Sequence, residues 1–161
     1  MTTRSVSLDG VDRALLRALQ ADGRASWAEL ATQIGLSAPA AKQRVQRLVD
    51  SGVLQIAAVT DPLLLGLQTM AMVAITVSGS SGAVADAIGA LPGVIYVVST
   101  AGPVDIFAEV VCTDMNDLRT LVEERIRSVP GVVSATPHVY YDIHAHRFSW
   151  DIPEAAQSPR D

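Results

Sequence analysis

Cysteine is almost absent from this chain: one residue, Cys112, in 161. It cannot close an internal disulfide, and its place in an apolar run reads as a small buried hydrophobe in a reducing compartment. Aromatic residues are scarce at 4 % in a composition otherwise ordinary for a soluble protein. The segment MTTRSVSLDG has no apolar core, so no signal peptide is expected. No apolar stretch approaches membrane-spanning length, so a cytoplasmic protein with no membrane partner is expected. A P-loop, a dinucleotide fingerprint and a Ser-His-Asp arrangement are all missing. Gly79-Ser80-Ser81-Gly82 is Gly/Ser-rich like a phosphate loop but reads better as a strand-to-helix turn. Asp105 and Glu109 share a strand face but stand roughly 13 Å apart, beyond the usual reach of paired carboxylates in acid/base work. His144-Ala145-His146 would set two imidazoles on one strand face, and His138 adds a third. Beyond Asp142 no other ligand type stands at matched spacing, so structural or exposed histidines are expected, with no metal and no cofactor.

The formal charge of −5 argues naively against nucleic acid, but its distribution argues the other way. Residues 1–60 carry seven Arg or Lys against five acids, a balance of +2. Residues 61–161 carry five Arg against twelve acids, a balance of −7. A basic half beside an acidic half suggests a DNA-facing module joined to something kept off the DNA.

Three helices are expected in the basic half. The first is capped by Asp9 and runs to Gly23, burying Val11, Leu15 and Leu19 while Asp12, Arg13, Arg17 and Gln20 face out. Ser26 and Glu29 form a capping box that opens the second, with Trp27, Leu30 and Ile34 as its inner face. Gly35 makes the turn, Ser37 caps the third helix, and Pro39 is tolerated in its first turn. On a helical wheel Ala41, Val45, Leu48, Val49 and Gly52 cluster inward. Gln43 and Arg47 point almost directly outward, flanked by Pro39, Ala40, Arg44 and Gln46. Gln suits adenine and Arg suits guanine, so this face can read base edges. Lys42 and Arg44 lie where phosphate contact is expected, and the backbone near Ser37 can hold a further phosphate. Two short helices, a three-residue turn and a basic second helix make a helix-turn-helix, whose partner is double-stranded DNA.

VLQIAAVTDP follows as an expected strand or wing, closing a winged helix-turn-helix domain over residues 1–60, with a linker over 61–68. From Thr69 the order reads TMAMVAITV strand, AVADAIGAL helix, GVIYVVST strand, DIFAEVVC strand, MNDLRTLVEERIRSV helix and VVSATPHVYYDIHA strand. That is βαββαβ, a ferredoxin-like α+β domain expected over residues 69–152, with a mobile tail over 153–161. A weak repeat supports it: Leu91-Pro92-Gly93-Val94 and Val129-Pro130-Gly131-Val132 each end a helix and open a strand.

Many of these residues resemble the Lrp/AsnC (feast/famine) regulators. The resemblance rests on Leu8-Asp9 through Asp12, Asp22-Gly23-Arg24, Leu30-Ala31, Ile34-Gly35-Leu36-Ser37, Arg44-Val45, Arg47-Leu48 and Gly52-Val53-Leu54. Asp61-Pro62, Gly66 and Pro130-Gly131-Val132 extend it, so that it spans about residues 8–145. It implies a transcriptional regulator with a RAM-type αβ domain that pairs sheet to sheet, a homodimer assembling to tetramers or octamers, and a small amino acid as effector. The resemblance places the effector near a Gly-Asp-x-Asp turn and the last strand, here Gly102, Val104, Asp105, Thr136 and His138, with Pro103 where the first Asp is usual. Two alternatives stand beside it. Siroheme decarboxylase subunits are similar to the family, and His138, His144, His146 and Arg147 can be cast as porphyrin-site groups. A non-enzymatic assembly protein with an acidic docking domain is the other.

Overall fold

The structure, a computed structural model, describes residues 7–146, 150 and 152. The residues expected to form a mobile tail, 153–161, lie outside them, as does Arg147. Two compact units are present. One holds the described residues up to Ala58 together with Trp150 and Ile152, and the other is Val59–His146. The αβ domain was expected to run to residue 152. Ile152 belongs instead with the helical unit, where its carbonyl accepts from Arg17 Nη2 at 3.4 Å.

The helical unit contains α1 (Gly10–Ala21), α2 (Trp27–Ile34) and α3 (Ala38–Asp50). Leu15, Leu19, Leu30, Ala31, Ala41 and Val45 form its core. Each helix starts where the sequence places a cap. Asp9 accepts from the Asp12 N–H while Asp12 returns the bond to the Asp9 N–H, and Ser26 and Glu29 repeat the arrangement on α2. Gly35 ends α2 at φ 70°, in the left-handed region that a residue with a Cβ resists.

Four inward or outward assignments change. Trp27 is 39 % exposed, and Ala31 is buried on that face instead. A helical side chain leans toward the N-terminus, so a ring on the first residue of α2 hangs past the end of the bundle. Val49 is exposed, because α3 stops at Asp50. Gly52 then lies in the closing turn at φ 75°, its N–H donating to the Val49 carbonyl at 2.9 Å. Asp12, expected on the outside of α1, is 1 % exposed. The expected wing also fails to form, since residues 53–61 carry no strand. No second strand exists among the described residues of this unit to pair with it.

In the αβ unit the expected linker contains a 3₁₀ turn, Leu63–Leu65, closed by Gly66. Strands β1 (Thr69–Val77), β2 (Val94–Ser99), β3 (Ile106–Cys112) and β4 (Val132–Val139) then form one antiparallel sheet in the order β2-β3-β1-β4. That is the ferredoxin-like arrangement. Helix α4 (Ser81–Gly89) and helix α5 (Met115–Thr120), which continues as a π-helical segment over Leu121–Ile126, cover one face. Ala71, Val73, Ile75, Ile106, Ala108 and Val110 are fully buried there against Ile88, Leu118, Val122 and Ile126. The two Pro-Gly-Val turns end each helical layer. Gly131, at φ 97°, would place a Cβ 3.1 Å from Val84 Cγ2, so a side chain there is strained by the backbone and crowded by its neighbour. The last strand is shorter than expected: it ends at Val139, and residues 140–146 leave the sheet after Tyr140 donates its N–H to the Met70 carbonyl.

Candidate functional site

The turn between α2 and α3 spans only Gly35 to Ser37, so the second helix leaves the bundle at a fixed angle. The Ser37 hydroxyl accepts from the Ala40 N–H, and Ala41, Val45 and Leu48 anchor the inner face of α3. Ser37, Pro39, Lys42, Gln43, Gln46 and Arg47 are exposed, and Ala40 and Arg44 are half-buried. The residues picked from the wheel therefore do form one accessible surface.

Its electrostatics differ from the expectation. Read along α3 alone, Lys42, Arg44 and Arg47 are three cations without an acid. The fold brings two acids from the start of α1 against them. Arg44 Nη1 donates to Asp9 Oδ2 at 2.6 Å and to Asp12 Oδ1 at 2.9 Å. Arg47 Nη2 donates to Asp12 Oδ1 at 2.7 Å and Oδ2 at 2.6 Å. Two guanidiniums and two carboxylates cancel, and Arg44, expected at phosphate, is a strut between helices. Lys42 has no ion-pair partner among the described residues, so it carries the uncompensated charge of this face. Gln46 is also braced, donating from Nε2 to Asp50 Oδ1 at 2.8 Å. Gln43 makes no such bond and is free to reorient.

Sequence reasoning missed Asp9 and Asp12. The signal was present in their spacing: a carboxylate three residues after an N-cap carboxylate turns back toward the helix start rather than out to solvent. These bonds shift titration. The Asp12 backbone N–H, helped by the Arg44 guanidinium, holds the Asp9 carboxyl below its ordinary 3.8. The Ser26 N–H and hydroxyl hold Glu29 below 4.5. Asp9 and its partner Asp12 push Arg44 up. A depressed carboxylate stabilises the fold above its unfolded value and ceases to do so as pH falls through its folded one. The melting temperature of the helical unit is thus expected to fall as pH drops below about 5, with Asp9→Asn and Glu29→Gln together flattening the profile. An unchanged melting temperature down to about pH 3 would contradict this.

In the αβ unit, Gly102 and Val104 lie in the turn between β2 and β3, and Asp105 closes it. The turn is pinned on both sides: the Thr100 hydroxyl donates to the Val104 carbonyl, and the Thr100 N–H to the Asp105 carbonyl at 2.8 Å. Asp105 Oδ2 accepts from the Val77 N–H at 2.8 Å, capping the end of β1. Thr136 and His138 are exposed on β4, opposite Ala74 and Met72 of β1, on the sheet face away from the helices. Asp105 stands by Val77 at the end of the sheet, and His138 lies further along toward the opposite end.

The histidine motif does not form a strand face. His144 follows the end of β4, its side chain is 91 % exposed, and its Nδ1 is 4.0 Å from Asp142 Oδ2. Among the described residues no three His, Cys, Asp or Glu converge as metal ligands, and no helix is long and apolar enough to cross a membrane.

Comparison with known proteins agrees with this architecture. Residues 8–49 match the AsnC-type helix-turn-helix domain, and residues 70–149 match the Lrp/AsnC ligand binding domain. An HTH-type transcriptional regulator of Pyrococcus abyssi is 33 % identical over 134 residues, covering 82 % of this chain and 85 % of that protein. This chain belongs to the Lrp/AsnC family of transcriptional regulators. Among solved Lrp/AsnC relatives, the leucine response regulatory protein LrpA of Mycobacterium tuberculosis superposes with a TM-score of 0.82 at 32 % identity, over 91 % of this chain and all (100 %) of that one. A Neisseria meningitidis transcriptional regulator in complex with L-Met gives a TM-score of 0.80 at 26 % identity, over 90 % of this chain and 97 % of that one. The matched domains and the names of the relatives describe transcriptional regulators, with helix-turn-helix and ligand-binding parts in the order found here.

Proposed function

We propose that this Lrp/AsnC regulator binds a pseudo-palindromic duplex as a homodimer, laying α3 into adjacent major grooves, and that a small amino acid modulates it through the β2–β3 turn. The observation that carries the reading is the outer face of α3. It is anchored from behind by Ala41, Val45 and Leu48 and presents Lys42, Gln43, Gln46 and Arg47 together. Lys42, the one cation of α3 without an ion-pair partner among the described residues, suits phosphate. Lys42→Ala is expected to weaken binding to all duplexes alike and to reduce the slope of log K against log salt by about 0.9. Titrating labelled duplexes at several salt concentrations checks both. A wild-type protein with no sequence preference at all would refute the assignment of α3.

The effector half of the reading draws on the matched ligand-binding domain and on the L-Met complex of the Neisseria relative. An amino acid offers a carboxylate and an ammonium. Backbone N–H groups around Gly102 suit the first, and the Asp105 carboxylate suits the second through Oδ1, since Oδ2 is engaged by Val77. Pro103 removes a donor and stiffens the turn, which favours a different choice of amino acid from relatives with Asp there. In a thermal-shift screen of the twenty amino acids, at least one is expected to stabilise the protein, by about 2.7 kcal/mol at a hundredfold excess over its dissociation constant. Asp105→Asn keeps an oxygen for the Val77 N–H but loses the charge, and should abolish that shift. Equal stabilisation of both proteins would remove Asp105 from the site.

A further inference from the structure

We propose that Asp12 is a positioning residue for base readout: from inside the helical bundle it holds one end of the Arg47 guanidinium, so that the rest of it addresses a single guanine in the groove. This rests on the reading of α3 as the recognition helix and adds what decides one position of its sequence preference.

Three observations lead there. First, the Asp12 carboxylate is held on both oxygens. It is fully buried and receives four bonds: Oδ1 from Arg44 and Arg47, and Oδ2 from Arg47 and the Asp9 N–H. Its own N–H is tied to Asp9 Oδ1 at 2.8 Å, so the helix start and the two arginines form one rigid joint. Second, the two arginines use that joint differently. Arg44 is the more enclosed, at 32 % exposure, and spans both acids, whereas Arg47 stays 58 % exposed while bonded to the buried acid. Arg47 spends only Nη2, and its Nη1 and Nε hydrogens have no acceptor among the described residues. Third, Arg47 lies one turn after Gln43 on the outer face, on the surface that would meet the groove.

An unbraced arginine on a helix surface samples many rotamers and takes whichever phosphate or base acceptor comes nearest. A guanidinium fixed by a carboxylate has lost that freedom before binding, and with Nη2 spent on Asp12 its Nη1 hydrogens keep one set direction. The acceptor edge that suits a cationic donor there is O6 and N7 of guanine. The competing reading of the same bonds is charge cancellation, in which the acids merely weaken the attraction of α3 for DNA. The two readings differ in sign for Asp12→Asn, which keeps a similar shape and removes the charge. Positioning requires lost discrimination at one base pair; cancellation requires tighter binding to every duplex with the preference intact.

The experiment uses the full chain and duplexes selected by the wild type from a random pool, then varied one base pair at a time at fixed salt. The expected result is one G·C pair in each half-site whose replacement weakens wild-type binding tenfold or more. Arg47→Ala and Asp12→Asn should each reduce that factor to about two with the other positions still discriminated, while affinity for random duplex is unchanged or higher for Asp12→Asn and no higher than wild type for Arg47→Ala. Thermal melts establish that each variant is folded. Should Asp12→Asn fail to fold, Arg47→Lys decides, because it keeps the charge and the ion pair but not the planar guanidinium; it should lose the same discrimination and keep random-duplex binding. Discrimination retained in folded Asp12→Asn or in Arg47→Lys overturns the proposal, as does uniformly tighter binding with the preference intact. A wild type that selects no sequence overturns the recognition-helix reading itself, whereas selection indifferent to Arg47 and Asp12 overturns this inference alone.

Discussion

Replacing Asp12 with alanine is expected to destabilise the helical unit by about 2–4 kcal/mol, an unusually large loss for one exposed-looking position on a surface helix. The carboxylate closes the α1 capping box and neutralises two guanidiniums that stand on the same side of α3. Removing it leaves the Asp9 N–H without its side-chain partner and the two arginines short of a negative charge. A fully buried pair broken in this way costs about 3–5 kcal/mol; the range here is lower because both arginines reach solvent and can be rehydrated. Urea unfolding followed by far-UV circular dichroism would show the loss as an earlier transition of the helical unit. Asp50→Ala is the control, since Asp50 bonds only the exposed Gln46 side chain, and should change stability by less than about 0.5 kcal/mol. A loss below about 1 kcal/mol for Asp12→Ala would mean that the buried joint contributes little.

That joint also marks where the sequence stops being readable. Elements whose cause is local were legible. The Asp9, Ser26 and Ser37 caps start their helices at the expected residues, Gly35 takes the left-handed turn, and the apolar runs TMAMVAITV and DIFAEVVC match β1 and β3. Elements that depend on a distant partner were not. Periodicity places Asp12 at the margin of the apolar stripe of α1, and its acidity alone argues for solvent. Only the arrival of Arg44 and Arg47, 32 and 35 residues later, makes burial favourable. The wing failed for a similar reason: VLQIAAVTDP has β-prone residues, but a strand needs a neighbour, and the helical unit offers none among the described residues. The residues proposed for the effector fall between these cases. Gly102 and Asp105 were recognisable as turn chemistry, yet the carboxylate's bond to Val77 crosses from the β2–β3 turn to β1 and is invisible along the chain.

A monomeric αβ unit is expected only when the open face of its sheet is spoiled, and Phe107→Asp should do so. The inner face is closed by α4 and α5, but the outer one presents Met72 and Ala74 from β1, Phe107 and Val111 from β3, and Tyr96 and Val98 from β2. The registers Ala74↔Phe107 and Phe107↔Val98 put Phe107 in the middle of that apolar strip. A contiguous, partly exposed strip of this kind suits an interface, and a second copy related by a two-fold axis is the simplest cover. Glu109, opposite Met72 and Tyr96, is the one acid on this face among the described strand residues, and its Oε1 accepts from the Tyr140 hydroxyl at 2.9 Å. Burial, reinforced by that bond and by the Glu109 charge, pushes the Tyr140 hydroxyl up to about 12, so it remains a donor at any physiological pH. The acid therefore already has a partner should a second copy exclude water from this face. Phe107→Asp sets an unpartnered carboxylate two residues from Glu109 on the same face, at the centre of the contact, in both copies at once. Standard interfaces bury about 1,200–2,000 Å² in total, and two facing charges at their centre cost several kcal/mol. Light scattering at micromolar concentration should therefore report at least a dimer for the wild type and a monomer for the variant. Helical content should be retained in both, because the inner core around Val73, Ile106 and Ile126 is untouched. A monodisperse wild-type monomer, or a variant that assembles as the wild type does, would show that something other than a second copy covers this face.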